Sequence, residues 1–146
     1  MSAVLVKQTN SPYETETAGY ELAGGLSARD VVALYGELGS GKTCFVRGIA
    51  KGLNVAQPVK SPSFSIINEY DGAVPLYHID FYRLTSPGEI ENTGWTEYMS
   101  LNGVVIIEWA ERVRNMLPGK RIDVYFEILD KNSRSLKVVT DDDPGN

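Results

Sequence analysis

The apolar positions of this chain fall into short unbroken blocks and longer stretches of helical spacing. Ala3-Val4-Leu5-Val6, Val31-Val32-Ala33-Leu34-Tyr35 and Val104-Val105-Ile106-Ile107 are blocks of strand length. The second and third, each an unbroken apolar run led by valines, read as parallel strands buried on both faces. Phe45, Val46, Ile49 and Leu53 instead recur at the three- and four-residue steps of a helix face. Ser11-Pro12-Tyr13-Glu14 announces another helix, with an N-cap serine, proline at the first helical position and glutamate at the third. That helix is expected to run to Ala23, where Gly24-Gly25 stops it. Residues 64–70 and 76–83 are β-rich runs on either side of Asp71-Gly72, a hairpin signal. Residues 87–92, 95–101 and 110–116 read as short helices, punctuated by Gly94 and Pro118-Gly119. Residues 122–129 and 135–140 make a closing hairpin. This interleaving predicts an α/β fold, a mixed central sheet flanked by helices.

Between the first buried block and its helix stands Gly36-Glu37-Leu38-Gly39-Ser40-Gly41-Lys42-Thr43, a complete Gly-x-x-x-x-Gly-Lys-Thr. Each fixed position answers a need of a polyphosphate. Glycines admit positive φ, so the backbone can curl until its N–H groups converge on an anion. The following helix adds the positive end of its dipole. Lys42 reaches the β- and γ-phosphates and Thr43 offers a hydroxyl to Mg²⁺. The motif requires a strand before it and a helix after it, and both are predicted here. The fold is therefore expected to be that of a P-loop NTPase. Cys44, early in the helix, reads as a small buried thiol.

At 146 residues the chain has the length of one domain. The expected division is a single P-loop domain, 1–140, with an acidic tail, 141–146, that includes Asp141-Asp142-Asp143. The formal net charge of −5 argues against unaided nucleic-acid binding, which needs a basic footprint. It leaves room for a complex whose partner supplies that surface. A single cysteine excludes an internal disulfide and a multi-cysteine zinc site. No apolar run has membrane-spanning length and no charged-then-apolar leader opens the chain, so a cytoplasmic protein is expected.

Val104 to Ile107 ends in Glu108. An acid at the end of a core strand suits the magnesium of a P-loop site, directly or through water. Ligands collect at the carboxyl ends of parallel strands. Glutamate, where aspartate is commoner, is a departure. Trp109 follows and can pack on a nucleotide or a partner. In Leu76-Tyr77-His78-Ile79-Asp80-Phe81-Tyr82-Arg83, alternation puts His78, Asp80 and Tyr82 on one face and Tyr77, Ile79 and Phe81 on the other. Asp80 can orient an attacking water or stand behind the metal, and Arg83 can meet charge on the γ-phosphate. Spacing alone favours a solvated strand face instead. His78 by itself reads as a hydrogen-bonded structural residue. Ser61-Pro62-Ser63-Phe64 follows the P-loop helix, where switch segments that sense the γ-phosphate often lie; an ST-turn is the simpler reading.

Taken together, these residues resemble the TsaE (YjeE) family of bacterial P-loop ATPases. The resemblance runs from 36–43 through Ser61-Pro62-Ser63-Phe64, Asn68-Glu69-Tyr70 and Pro75 to Leu84. It continues through Gly94, Glu97-Tyr98 and Ile107-Glu108-Trp109, in family order and spacing. It spans roughly residues 10–118; the C-terminal part carries little of it. Ser63 stands where threonine is usual, and Cys44 where a hydroxyl residue is commoner, which removes one phosphate contact. The resemblance implies an ATPase in the making of threonylcarbamoyladenosine in tRNA, working with the TsaB and TsaD proteins and meeting tRNA through that complex. It implies that Lys42 contacts phosphate, Thr43 and Glu108 hold Mg²⁺, Asp80 is needed for hydrolysis and Trp109 lies by the nucleotide or partner.

Rival classes are weaker. A GTPase needs a guanine-reading Asn-Lys-x-Asp, which is missing, and Asp80 is not followed by x-x-Gly. A small-molecule kinase needs an arginine-rich lid, and residues 85–102 contain no arginine. A nucleotide-gated binding module with incidental turnover would use the same phosphate grip.

Overall fold

The computed structural model describes residues 2–60 and 66–141. The Ser61-Pro62-Ser63-Phe64 segment and residues 142–146 of the tail lie outside the described residues. The strands are β1 (Ser2–Thr9), β2 (Val31–Tyr35), β3 (Ile67–Tyr70), β4 (Leu76–Asp80), β5 (Val104–Glu108), β6 (Ile122–Ile128) and β7 (Arg134–Asp141). The helices are α1 (Pro12–Ala23), α2 (Lys42–Gly52) and α3 (Pro87–Glu91), with 3₁₀ helices at Trp95–Ser100 and Ala110–Met116. The strands form one sheet in the order β1-β7-β6-β2-β5-β4-β3. Its centre, β6-β2-β5-β4, is parallel, and the outer strands run antiparallel. This is the mixed sheet flanked by helices of a P-loop NTPase. Among the described residues no helix is long and apolar enough to cross a membrane.

Strand alternation divides the core. Val32, Leu34, Ile106 and Val124 face α2 and meet Phe45, Val46 and Ile49. Ala33, Val105, Ile107, Tyr77 and Ile79 face the other way, onto Ile90, Trp95 and Val113. Every residue of β2 and β5 is buried, as their unbroken apolar pattern requires. Each fully buried aliphatic side chain contributes about 1.5–3 kcal/mol.

Helices α1 and α2 touch at glycines. A Cβ on Gly48 would stand 1.8 Å from the Glu16 carbonyl oxygen, and one on Gly19 would stand 2.1 Å from that of Phe45. The obstructing atoms are backbone, so the helices would have to separate. Gly48→Ala is expected to lower stability by about 2–3 kcal/mol despite alanine's better helix propensity, read as a shifted urea midpoint. An unchanged midpoint would show that the helix pair is free to slide.

Helix α1 ends at Ala23, and Gly24, with φ −61 and ψ −22, closes it with backbone N–H bonds onto the carbonyls of Glu21 and Leu22. Two local outcomes differ from the sequence pattern. The stretches at 95–100 and 110–116 are 3₁₀ helices; Gly94 (φ 70) and Trp109 (φ 59) enter them from the left-handed region, and Val113 (φ −128) breaks the second. Strand β4 ends at Asp80, where pairing with β5 ends opposite Glu108, and not at 83.

Candidate functional site

Strands β2, β5 and β4 are adjacent, and their carboxyl ends deliver the loop 36–43, Glu108 and Asp80 to one place. Asp80 pairs in register with Glu108, which also pairs with Leu34. Strand alternation sets Asp80 and Glu108 on the α2 side of the sheet, the face of Leu76 and Ile106. The loop keeps its curl through positive φ at Gly36 (152), Gly39 (81) and Gly41 (103). A Cβ on Gly36 would lie 3.0 Å from the Phe126 carbonyl oxygen, so only glycine lets β6 pass so close. Gly41 caps α2 without a side chain, leaving the first-turn N–H groups of the helix to an outside acceptor.

Lys42 is 5% exposed. Its Nζ donates to the Gly36 carbonyl at 2.5 Å and sits 3.8 Å from the Trp109 ring centroid. Burial lowers its pKa, while Glu108, Glu111 and Asp80 pull it back up. Asp80 is pushed the other way, its pKa raised by burial and then by Glu108, against the Tyr82 N–H that its Oδ1 accepts at 2.9 Å.

A cleft of about 280 Å³ opens over these groups, bounded by Lys42, Thr43, Asp80 and Glu108 and walled by Leu38, Tyr82 and Trp109. The Tyr82 and Trp109 rings pack with centroids 5.2 Å apart. A second cleft of about 160 Å³ lies against Gly39, Gly41 and Cys44 and reaches Ser11, Asn132 and Arg134. Cys44 borders both clefts and is partly exposed, not the buried thiol that its sequence context predicts. Its place in the first turn of α2 turns it toward the loop. Glu37 and Leu38 are exposed on the rim, and Ser40 is buried with a hydroxyl that finds no partner among the described residues.

The solvated reading of the His78–Asp80 face is overturned. His78 is fully buried, and its Nε2 donates to Glu108 Oε2 at 2.5 Å. The reason is position: β4 is an inner strand covered on both faces, so period-two alternation there does not mean one wet side. Tyr82 lies beyond the strand and is exposed, as is Arg83.

The donors around the cleft are hard oxygens, the Thr43 hydroxyl and the Glu108 and Asp80 carboxylates, the chemistry Mg²⁺ prefers. Glu108 is held by His78 in the manner of an oriented metal carboxylate. Among the described residues no group of three His, Cys, Asp or Glu side chains forms a cage. A cation there would take its remaining ligands from phosphate and water, which again suits Mg²⁺.

Two arginines were not singled out from sequence. Arg134 Nη2 donates to the Gly39 carbonyl at 3.2 Å, tying β7 to the loop. Arg112 Nη1 donates to the carbonyls of Phe81, Tyr82 and Leu84. Neither lies in a motif, and their partners are distant in sequence.

The charge state of Asp80 gives a stability test. Its raised pKa means that the native state holds the proton more tightly than the unfolded chain. Stability is therefore lost as pH rises through that raised value. Asp80→Asn keeps an acceptor for the Tyr82 amide and removes the charge. The nucleotide-free variant is expected to melt above the parent at pH 7, with the gap closing below the ordinary carboxylate range. A lower melting temperature at pH 7 would contradict this.

Residues 9–136 match the family model described as "Threonylcarbamoyl adenosine biosynthesis protein TsaE". A Bacillus subtilis protein named tRNA threonylcarbamoyladenosine biosynthesis protein TsaE is 38% identical over 130 residues, covering 88% of this chain and 81% of its own. A Nostoc protein of the same name is 40% identical over 129 residues, covering 85% and 78%. The crystal structure of Bacillus subtilis YdiB superposes with a TM-score of 0.82 at 34% identity, over 96% of this chain and 87% of that one.

Proposed function

Since this chain belongs to the TsaE family, whose role is in tRNA threonylcarbamoyladenosine biosynthesis, we propose that it is the Mg²⁺-dependent ATPase of that system. In this reading it acts in the cytoplasm with the TsaB and TsaD proteins and meets tRNA only through them. The observation that carries it is the convergence of a glycine-curled loop, a buried lysine and two carboxylates at the ends of three adjacent parallel strands.

The loop N–H groups of 36–43 and the Lys42 ammonium would grip the β- and γ-phosphates. Thr43 and Glu108 would hold Mg²⁺, which supplies charge neutralisation on the phosphates. The ribose and base would extend past Cys44 into the smaller cleft, toward Asn132 and Arg134. Asp80 would orient a water for in-line attack on the γ-phosphorus. The new P–O bond forms as the bond to ADP breaks, and the water's proton passes to the Asp80 carboxylate or the released phosphate. A carboxylate whose pKa is raised by burial is the better proton acceptor. Trp109 closes the cleft over Lys42 and offers its outer side to a partner.

The test is phosphate release from ATP by the purified chain, alone and with TsaB and TsaD. Magnesium-dependent turnover that rises in the complex is the expected result. ATP binding without turnover, with or without the partners, would leave a nucleotide-gated module in its place. Phosphoryl transfer to an added small molecule would make it a kinase.

A further inference from the structure

We propose that Arg112 is a positioning residue for hydrolysis: its guanidinium clasps the backbone just after β4 and so aims the Asp80 carboxylate and seats Tyr82 against Trp109. This rests on the ATPase reading of the same cleft.

The clasp is a matter of unmet acceptors. Beyond Asp80 the chain leaves the sheet, with a last rung from the Phe81 N–H to the Glu108 carbonyl at 3.3 Å. Among the described residues the carbonyls that follow have no strand opposite, and a polar group there must find another partner. One nitrogen of Arg112 supplies it, at 3.0 Å to Phe81, 2.9 Å to Tyr82 and 2.6 Å to Leu84. Three convergent carbonyl dipoles on one cation force the segment into a tight curl, closed by the Leu84 N–H on the Phe81 carbonyl at 3.0 Å.

Tyr82 transmits the constraint. Its carbonyl is bound by Arg112, its N–H is donated to Asp80 Oδ1 at 2.9 Å, and its ring packs on Trp109. The Arg112 guanidinium carbon lies 5.4 Å from the same Trp109 ring. One side chain thus sets the rotation of the Asp80 carboxylate and the depth of the aromatic wall that covers Lys42. Arg112 enters this position because Trp109, in the left-handed conformation, turns the chain from β5 back across the strand ends. Lysine would reproduce the clasp only in part, since its ammonium sits on a flexible stem and lacks the planar guanidinium that lies by the Trp109 ring.

Arg112→Ala and Arg112→Lys would be measured for kcat and for ATP dissociation constant with the partner proteins present, in the parent and in Asp80→Ala. Hydrogen exchange of the amides at 81–84 would be followed in the same proteins without nucleotide. Arg112→Ala is expected to lower kcat by about 10–100-fold, the scale of a misplaced reacting group, with affinity changed less than about threefold. Arg112→Lys should be intermediate. In the Asp80→Ala background the arginine change should cost little more, because both act through one carboxylate. Exchange at Phe81 and Leu84 should quicken with Arg112→Ala and stay near the parent value with Asp80→Ala, in which the Tyr82 amide alone quickens for want of its acceptor. A normal kcat in Arg112→Ala, or an equal loss in both backgrounds, would overturn the positioning role. Unchanged exchange would overturn the clasp itself. Should the parent hydrolyse no ATP even with its partners, the ATPase reading fails, while the exchange data still decide the clasp.

Discussion

Lys42→Ala is expected to abolish measurable ATP binding by the isolated chain and to cut turnover by about 10³-fold or more. A single preorganised charge aimed at a phosphoryl group is worth about 10²–10³, and here its loss does further harm. The ammonium is flanked by Glu108, Glu111 and Asp80, each of which attracts it. Without it, the Glu108 and Asp80 carboxylates that bound the cleft lose the ammonium that offsets them, so a local field that admitted the triphosphate becomes one that repels it. Lys42→Met separates charge from packing, because its thioether chain can still lie over the Trp109 ring. Both variants should fail alike in calorimetric titration with ATP and Mg²⁺. Unchanged affinity in either would remove Lys42 from the phosphate grip.

Asp80→Ala should behave differently, keeping ATP affinity within a few-fold and lowering turnover by about 10²–10⁴, the usual size for a positioned acid–base group. Asp80 takes part in a short relay of orientation. The Tyr82 amide fixes one oxygen, and burial beside Glu108 makes the carboxylate more basic than a solvated one. Nothing in that arrangement demands that Asp80 touch the nucleotide ground state. Single-turnover phosphate release at saturating ATP, with partners present, separates the step from binding; a normal rate there would remove Asp80 from the chemistry. The melting behaviour expected for Asp80→Asn is the other side of the same fact, since a group held at a cost to the fold is a common signature of function.

Much of this geometry can be read from the chain, and the exceptions have physical causes. The unit from β2 through the glycine loop to α2 is legible because its constraints are local. A buried strand, positive-φ turns and an amphipathic helix each leave their own period in a few residues. Glu108 is legible for the same reason, as the first polar residue after an unbroken apolar run. His78 is the hydrogen-bonded residue expected, but its face is misread as solvated, because alternation reports a half-wet strand only at an edge or on an open face, and β4 has neither on that side. What fills the covered space is Glu108, thirty positions on. Arg112 and Arg134 are invisible for a related reason. They bind backbone carbonyls, which leave no trace in the partner's side-chain identity. The 3₁₀ character of 110–116 follows from the left-handed turn at Trp109, which a tryptophan adopts only because the folded surroundings impose it.

The place of β2 between β5 and β6 has a consequence for biosynthesis on the ribosome. The phosphate loop is translated within the first third of the chain, yet the strand that carries it lacks its second neighbour until residues 122–128 emerge. The Gly39 carbonyl then waits for Arg134. A nascent chain that already contains the whole glycine-lysine-threonine motif is therefore expected to grip no nucleotide. The grip is an assay of completed synthesis: a chain cut after residue 120 would retain the motif intact and fail to bind.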